Sequence, residues 1–241
     1  MARAGYGQFC PVARTAELLA ERWMPVVIRE LLAGSCHFAD LRRAIPLISP
    51  ATLSQRLHEL LDAGVIERTR AGAQLQRVEY RLTDAGRELQ PIIREFGIWG
   101  QRWARDVRPG EIDPEVLAWV MHRRLDFTKF PVDRAVILFE FPDVAIRRRC
   151  FWFVIKQGEV DVCLKSPGYE VDLTLTTSIR TMTMVYLGQV APEVATRSGA
   201  IGLTGSHVLV RSFPAWCPRS AFAAAARPAV LPAPMHHSAH P

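Results

Sequence analysis

Ser49-Pro50-Ala51-Thr52-Leu53-Ser54-Gln55-Arg56-Leu57-His58-Glu59-Leu60-Leu61-Asp62-Ala63-Gly64 is the stretch whose reading decides the fold. A serine can accept from the free N–H groups at a helix start, and proline suits the first turn because its missing N–H costs nothing there. Leu53, Leu57, Leu60 and Leu61 then recur at i, i+4, i+7 and i+8, which lays one apolar stripe against a core. Gly64 supplies the left-handed stop. The stripe leaves Thr52, Gln55, Glu59 and Asp62 outside, with Arg56 and His58 on its flanks. Val65–Arg68 and Val78–Leu82 follow as two short strands around an arginine-bearing turn that contains glycine. A polar-faced helix followed by a β-wing predicts a winged helix-turn-helix.

Working upstream, residues 12–20 and 25–33 read as helices separated by Glu21-Arg22-Trp23, the second opened by Pro25 and closed by Gly34. Phe38, Leu41 and Ile45 space a short helix over 39–45 that Pro46 stops, leaving Leu47-Ile48-Ser49 as the turn before the recognition helix. Downstream of the wing, Thr83 can cap one long helix to about Asp106, carrying Leu89, Ile92, Ile93, Phe96, Trp99 and Trp103 at 3/4 spacing. That stripe is too apolar for a small domain to cover alone. The expected cover is a second copy of the chain, with Ile93, Phe96, Trp99 and Trp103 at the dimer interface; the alternative cover is the C-terminal half.

The second half changes period. Val107-Arg108-Pro109-Gly110 reads as a linker, and Asp113-Pro114 opens a helix with Val116, Leu117, Val120 and Leu125 on one face. Residues 135–141, 150–156, 160–164 and 171–175 are four strand-like runs with period 2. Two helices are expected at about 178–187 and 191–198, then a short strand and a last helix within Ile201–Val210. The domains are therefore expected at 1–107 and 113–215, and the Ala/Pro-rich segment 220–241, with His236, His237 and His240, reads as a disordered tail. The fold class is α+β: a winged helix-turn-helix domain followed by an antiparallel sheet with covering helices.

Cys10-Pro11-Val12, the Leu18–Trp23 segment, Phe38-Ala39-Asp40-Leu41, Ile48-Ser49, Leu53–Leu57 and Val78–Thr83 together resemble the HxlR-type regulators, a winged-helix family related to MarR, over about residues 8–105. The resemblance implies a homodimer on a palindromic operator in double-stranded DNA, with one recognition helix in each of two major-groove half-sites. Two positions depart from the family pattern: Met24-Pro25 stands where a small polar residue is usual, and Leu47-Ile48 replaces a glycine-containing turn. On the matched positions, Thr52, Gln55 and Arg56 are placed to reach base edges, since Gln and Arg can make bidentate contacts there. Ser49 and the helix N-terminus are placed to hold a phosphate. Arg68, Arg70, Gln74 and Arg77 lie on or beside the wing, for backbone or minor groove; each could equally be a solvated surface charge. Some members of this family sense oxidants through an N-terminal cysteine, which makes Cys10 a candidate redox sensor; a Cys-Pro pair is also simply a compact helix start.

Residues 171–213 resemble the sterol carrier protein type 2 domain. The carrying residues are Val171–Thr176, Tyr186-Leu187-Gly188 and Gly199–Gly205, followed by an apolar helix. In that family a sheet and its helices enclose an apolar cavity. The resemblance implies a hydrophobic small-molecule effector, with Phe151, Phe153, Val162, Leu173, Met182 and Tyr186 as candidate pocket residues; the same residues would also serve as plain core.

Composition is compatible with these readings. The net charge is +6 at pH 7, and residues 1–107 hold 15 arginines against 12 acids, as many basic and acidic groups as the rest of the chain. There is no apolar run of about 18 residues, so no membrane span is expected, and no secretory signal is readable. Five scattered cysteines suit reduced thiols in a cytoplasm. No phosphate loop, zinc spacing or nucleophile elbow is present, so no catalytic residue, cofactor or metal is expected. The competing function class is a lipid-binding or lipid-modifying protein whose winged helix serves protein contacts.

Overall fold

The structure, a computed structural model, describes residues 5–71 and 77–227. It divides into two compact units, Met1–Gly97 and Ile98–Pro241. The division falls about ten residues before the Val107–Gly110 break that the sequence suggests. Gln74 of the wing and His236, His237 and His240 of the tail lie outside the described residues.

The first unit runs α1 (Pro11–Leu19), α2 (Met24–Leu32), α3 (Phe38–Ala44), α4 (Pro50–Asp62), β1 (Ile66–Ala71), β2 (Arg77–Leu82), α5 (Asp84–Glu88) and the start of α6 (Gln90–Trp103). Its core is the set of apolar faces that the periodicity picks out: Met24, Val27, Ile28, Leu41, Ile48, Leu53, Leu57 and Leu60 are fully buried. After α4 the chain turns at Gly64, with φ +66°. The Val65 N–H donates back to the Leu60 carbonyl at 2.9 Å, the bond of a left-handed helix stop. β1 and β2 pair antiparallel from Ile66↔Leu82 to Ala71↔Arg77. Thr83 then fastens the wing's base to the end of α4, its hydroxyl donating to the Gly64 carbonyl at 2.7 Å while accepting from the Gly86 N–H at 3.2 Å. Gly86 has to be glycine, because a Cβ there would stand 2.1 Å from the Val65 carbonyl oxygen.

The single helix expected from Thr83 to Asp106 is two helices, and the second ends at Trp103. Pro91 explains the break. It offers no N–H to the Arg87 carbonyl and its ring crowds that position, so α5 closes at Glu88 and the helix restarts at Gln90.

The second unit holds α7 (Pro114–His122), β3 (Arg134–Glu140), β4 (Cys150–Lys156), β5 (Glu159–Cys163), β6 (Leu173–Thr177), α8 (Ile179–Tyr186), α9 (Pro192–Arg197), β7 (Ile201–Gly205) and α10 (His207–Trp216). The strands form one sheet in the order β5-β4-β3-β6-β7. It is mixed rather than antiparallel: β3 and β6 run parallel, Ile137 opposite Leu173 and Glu140 opposite Thr176. The other three pairings are antiparallel. After the β3-β4-β5 meander the chain returns along the free flank of β3, so β6 enters in the direction of β3. Residue alternation fixes which face is buried and carries no information on direction.

One face of the sheet and its helices make the second core. Phe139 and Phe153 meet at 4.6 Å between ring centroids, and Phe213 stands edge-on to Trp216 at 5.1 Å. The last helix runs past Val210 to Trp216, beyond its expected end. Residues 220–227, assigned by composition to the tail, carry a 3-10 turn at Ala223–Ala225, and the Ser220 N–H donates to the Tyr186 carbonyl at 2.7 Å. Among the described residues, no helix is long and apolar enough to cross a membrane.

Candidate nucleic-acid interface

At the start of α4, the Ser49 hydroxyl accepts from the Thr52 N–H at 3.1 Å and shares a hydrogen bond with the Thr52 hydroxyl at 2.8 Å. Thr52 is therefore part of the cap and only half-exposed. The outward stripe of α4 is Ala51, Ser54, Gln55, His58 and Asp62, all exposed at i, i+3, i+4, i+7 and i+11. Gln55 lies on it as expected, its amide N–H donating to Glu59 at 3.0 Å and its amide oxygen left to accept. The sequence reading passed over Ser54 and Ala51 and left His58 on a flank. Their signal is what remains of the helix wheel once the leucines are removed.

Arg56 does not reach outward. It is only 6% exposed, and its guanidinium donates to the Arg22 carbonyl at 2.9 Å, to Glu59 at 2.5 Å and to Glu21 at 3.1 Å. The side chain crosses from α4 to the α1–α2 turn, where Trp23 sits at φ +77° and Arg22 lies over its ring at 5.1 Å. The assignment of Arg56 to base contact is thus corrected: it is a clamp that sets the seating of α4. Sequence flank position could not show this: Glu59 lies one turn along α4, but Glu21 and the Arg22 carbonyl come from a turn 34 or more residues away.

On the wing, the register sets Arg68 opposite Tyr80, Arg70 opposite Val78 and Arg77 opposite Ala71. Arg68 is exposed. Arg42, exposed in the last turn of α3, is a further cation of the helix-turn-helix that the sequence reading did not select.

The expected dimer stripe on α6 is only partly outward. Phe96, Trp99 and Trp103 are 59%, 64% and 64% exposed, whereas Ile93 is 7% exposed and faces the chain's own interior. Phe9 and Val12, at the start of α1, are also broadly exposed. Beside them, Cys10 stands half-buried at the N-cap position of α1. The backbone N–H groups of Ala13 and then Val12 draw its thiol below the ordinary range.

In the second unit, Phe151, Phe153, Leu173 and Met182 are fully buried members of one continuous apolar cluster, with Val162 and Tyr186 packed against it. They are packed in or against that core. A cavity of about 100 Å³ lies instead along the other side of α8, lined by Asp106, Val107, Ile112, Arg180, Met184 and Leu187 among others. None of the six expected pocket residues borders it. A period-2 pattern marks a buried face and cannot distinguish a packed face from a hollow one.

With this geometry in view, a sequence profile of the HxlR-like helix-turn-helix family matches residues 18–108. The chain is 35% identical over 111 residues to the uncharacterized HTH-type transcriptional regulator YvaP of Bacillus subtilis, an alignment covering 46% of this chain and 95% of that protein. It is 37% identical over 97 residues to an uncharacterized HTH-type transcriptional regulator of Synechocystis sp., covering 40% of this chain and 72% of that one. Among solved structures, the reduced form of the transcriptional regulator YodB from B. subtilis aligns at 30% identity with a TM-score of 0.37, over 42% of this chain and 100% of that chain.

Proposed function

The chain belongs to the HxlR-like helix-turn-helix family, and from that premise we propose that it is a DNA-binding transcriptional regulator and not an enzyme. It acts in the cytoplasm as a homodimer on a palindromic operator, one α4 entering the major groove of each half-site. The observation that carries this reading is the exposed stripe Ser54, Gln55 and His58 on a helix held from behind by Arg56. Gln55 reads a base edge, Ser54 and His58 border it, and Ser49 with the helix N-terminus takes a phosphate. Arg68, Arg70, Gln74 and Arg77 add contacts to backbone or minor groove.

The exposed ring stripe Phe96, Trp99 and Trp103 supports the dimer, since apolar patches of that kind mark interfaces. Selection of bound fragments from a genomic library tests the whole reading. It should return a palindrome bound with steep salt dependence. Phe96→Glu should give a monomer by light scattering that no longer holds the palindrome. Recovery of no preferred sequence would sink the regulator; a dimeric Phe96→Glu protein would sink the interface.

Two finer readings accompany it. The sterol-carrier-like second unit is an effector module, and the cavity beside α8 is where its ligand enters. At about 100 Å³ it is well below the roughly 300 Å³ at which drug-sized pockets begin, so a sterol or fatty acid requires α8 to shift. Operator affinity with and without fatty acids, sterols and aromatic metabolites decides this, because only a ligand that binds the two DNA-binding states unequally regulates anything. Cys10, with its thiol drawn toward thiolate, is the oxidant-sensing position. If oxidant changes operator affinity equally in wild type and Cys10→Ser, that role is wrong.

A further inference from the structure

Cys36 and His37 lie in the turn between α2 and α3, and Glu79 lies in β2, 42 residues beyond His37. The structure brings them together. The Tyr80 N–H donates to the Cys36 carbonyl at 2.8 Å, which seats the turn against the wing strand. The Cys36 thiol, a His37 ring nitrogen and a Glu79 carboxylate oxygen then lie within 4.8 Å of one another, all half-buried. We propose that these three side chains form a binding site for one divalent transition-metal ion of the zinc class, with the fourth position open to water.

The geometry of His37 is the strongest part of the case. Its Nδ1 lies 3.2 Å from the Val78 carbonyl oxygen. A carbonyl can only accept, so Nδ1 carries the hydrogen and the ring presents Nε2 to Glu79 and Cys36. A metal-ligating histidine is held in this way by a backbone carbonyl on its other nitrogen. Nε2 stands 3.9 Å from Glu79 Oε1, too far for a hydrogen bond. It is close to the ligand-to-ligand spacing of roughly 3.3–3.7 Å that bonds of about 2.0–2.3 Å to a tetrahedral ion impose. From a spread of at most 4.8 Å, the three atoms have about an ångström to close onto an ion.

Charge and softness select the ion. A Cys36 thiolate and the Glu79 carboxylate bring two negative charges, which balance a divalent cation, and the thiol releases one proton on binding. Arg81 occupies the other carboxylate oxygen, Oε2, at 2.7 Å and leaves Oε1 available. One sulfur and one imidazole nitrogen favour zinc, cobalt or nickel over magnesium or calcium, which take oxygen ligands. Bound there, the ion ties β2 to the N-terminus of α3 and so joins the wing to the helix-turn-helix by side chains as well as by one backbone bond. The site stands independently of any DNA contact.

Cobalt(II) titration into the full-length protein tests it, with His236, His237 and His240 replaced by Asn so that the tail cannot compete. One equivalent should bind with a thiolate-to-cobalt charge-transfer band and visible bands of tetrahedral intensity, and zinc should displace it. Cys36→Ser should abolish the charge-transfer band. His37→Gln and Glu79→Gln, each checked for native folding by circular dichroism, should each weaken zinc affinity at least tenfold. The proposal is overturned if no charge-transfer band forms, if the band survives Cys36→Ser, or if both other variants bind zinc as the parent does.

Discussion

Ser49 before α4 and Ser178 before α8 each accept a backbone hydrogen bond from the threonine three residues on, at 3.1 and 3.0 Å, and each shares its hydroxyl with that threonine's at 2.8 Å. The two helices then diverge. α4 buries Leu53, Leu57 and Leu60 on one side and exposes Ala51, Ser54, Gln55 and His58 on the other. α8 buries Thr181, Met182, Met184 and Val185, leaving Arg180 exposed and a narrow polar edge. A capping serine states where a helix begins and nothing about its use. Use follows from how wide the apolar stripe is and from what the rest of the unit sets against it. α4 is left with a free face, whereas α8 becomes a wall between a packed core and a small cavity.

The largest expected effect lies behind that wall. Phe153→Ala should lower the stability of the second unit by about 4 kcal/mol, the usual cost of emptying a tightly packed phenylalanine site, because its ring is fully buried against Phe139. Denaturant unfolding followed by tryptophan fluorescence gives the value. A loss under about 1 kcal/mol would mean that the ring borders a collapsible void, and the hollow reading of Phe151, Phe153 and Met182 would return.

Next is the clamp behind α4. Arg56→Ala removes the cation that Glu59, Glu21 and the Arg22 carbonyl share in a site with little solvent, at a cost of about 3 kcal/mol, the lower end for breaking a buried ion pair. Arg56→Lys should recover only part of this, since one ammonium cannot span three acceptors in a fixed fork. DNA binding should fall with the folded fraction, without a change of preference at any one base pair. An unchanged unfolding midpoint with preference lost at a single base pair would restore Arg56 as a base reader.

Arg56 also shows where sequence legibility stops. The bounds of α4 were readable because cap, proline and Gly64 act within a few residues of where they stand. The wing was readable for the same reason. Arg56 sits beside Leu53 and Leu60 on the helix wheel, and whether a long cation there points out or in depends on Glu21 and Arg22, which only tertiary folding supplies. The same limit hid the Cys36–His37–Glu79 cluster and the parallel pairing of β3 with β6, both set by residues far apart in the chain. The break between α5 and α6 is different, since Pro91 is local and visible in the sequence while the 3/4 apolar spacing runs straight through it.

Gln55→Ala probes the free face of α4 and should separate binding from folding. Its amide makes one exposed hydrogen bond to Glu59, an i,i+4 contact that contributes about 0.2–0.5 kcal/mol, so stability should hardly change. Affinity for the selected operator should fall by about 2 kcal/mol, with relaxed preference at one base pair, as expected for loss of a bidentate base contact. Equal operator affinity in wild type and variant, measured at one salt concentration, would remove Gln55 from the interface and shift the reading function to Ser54 and His58.

The smallest effect contrasts with the Arg56 clamp, because the chemistry is the same and only the burial differs. Arg105 donates from both terminal nitrogens to Glu111, and the Arg108 N–H adds a bond at 2.9 Å, all on the surface. The Arg105 guanidinium first, and then that backbone N–H, hold the Glu111 carboxyl at about 2. An unfolded glutamate titrates near about 4.3, so the pair stabilises the fold above that pH and the contribution is lost as pH falls toward about 2. Solvent and salt screen an exposed pair, so the loss should be shallow and should shrink further at high ionic strength. Comparing melting temperatures of wild type and Glu111→Gln at low salt isolates it: wild type should melt slightly higher at pH 7, and the gap should close as the pH approaches 2. A gap that persists unchanged at pH 2 would assign the difference to packing of the side chain rather than to its charge.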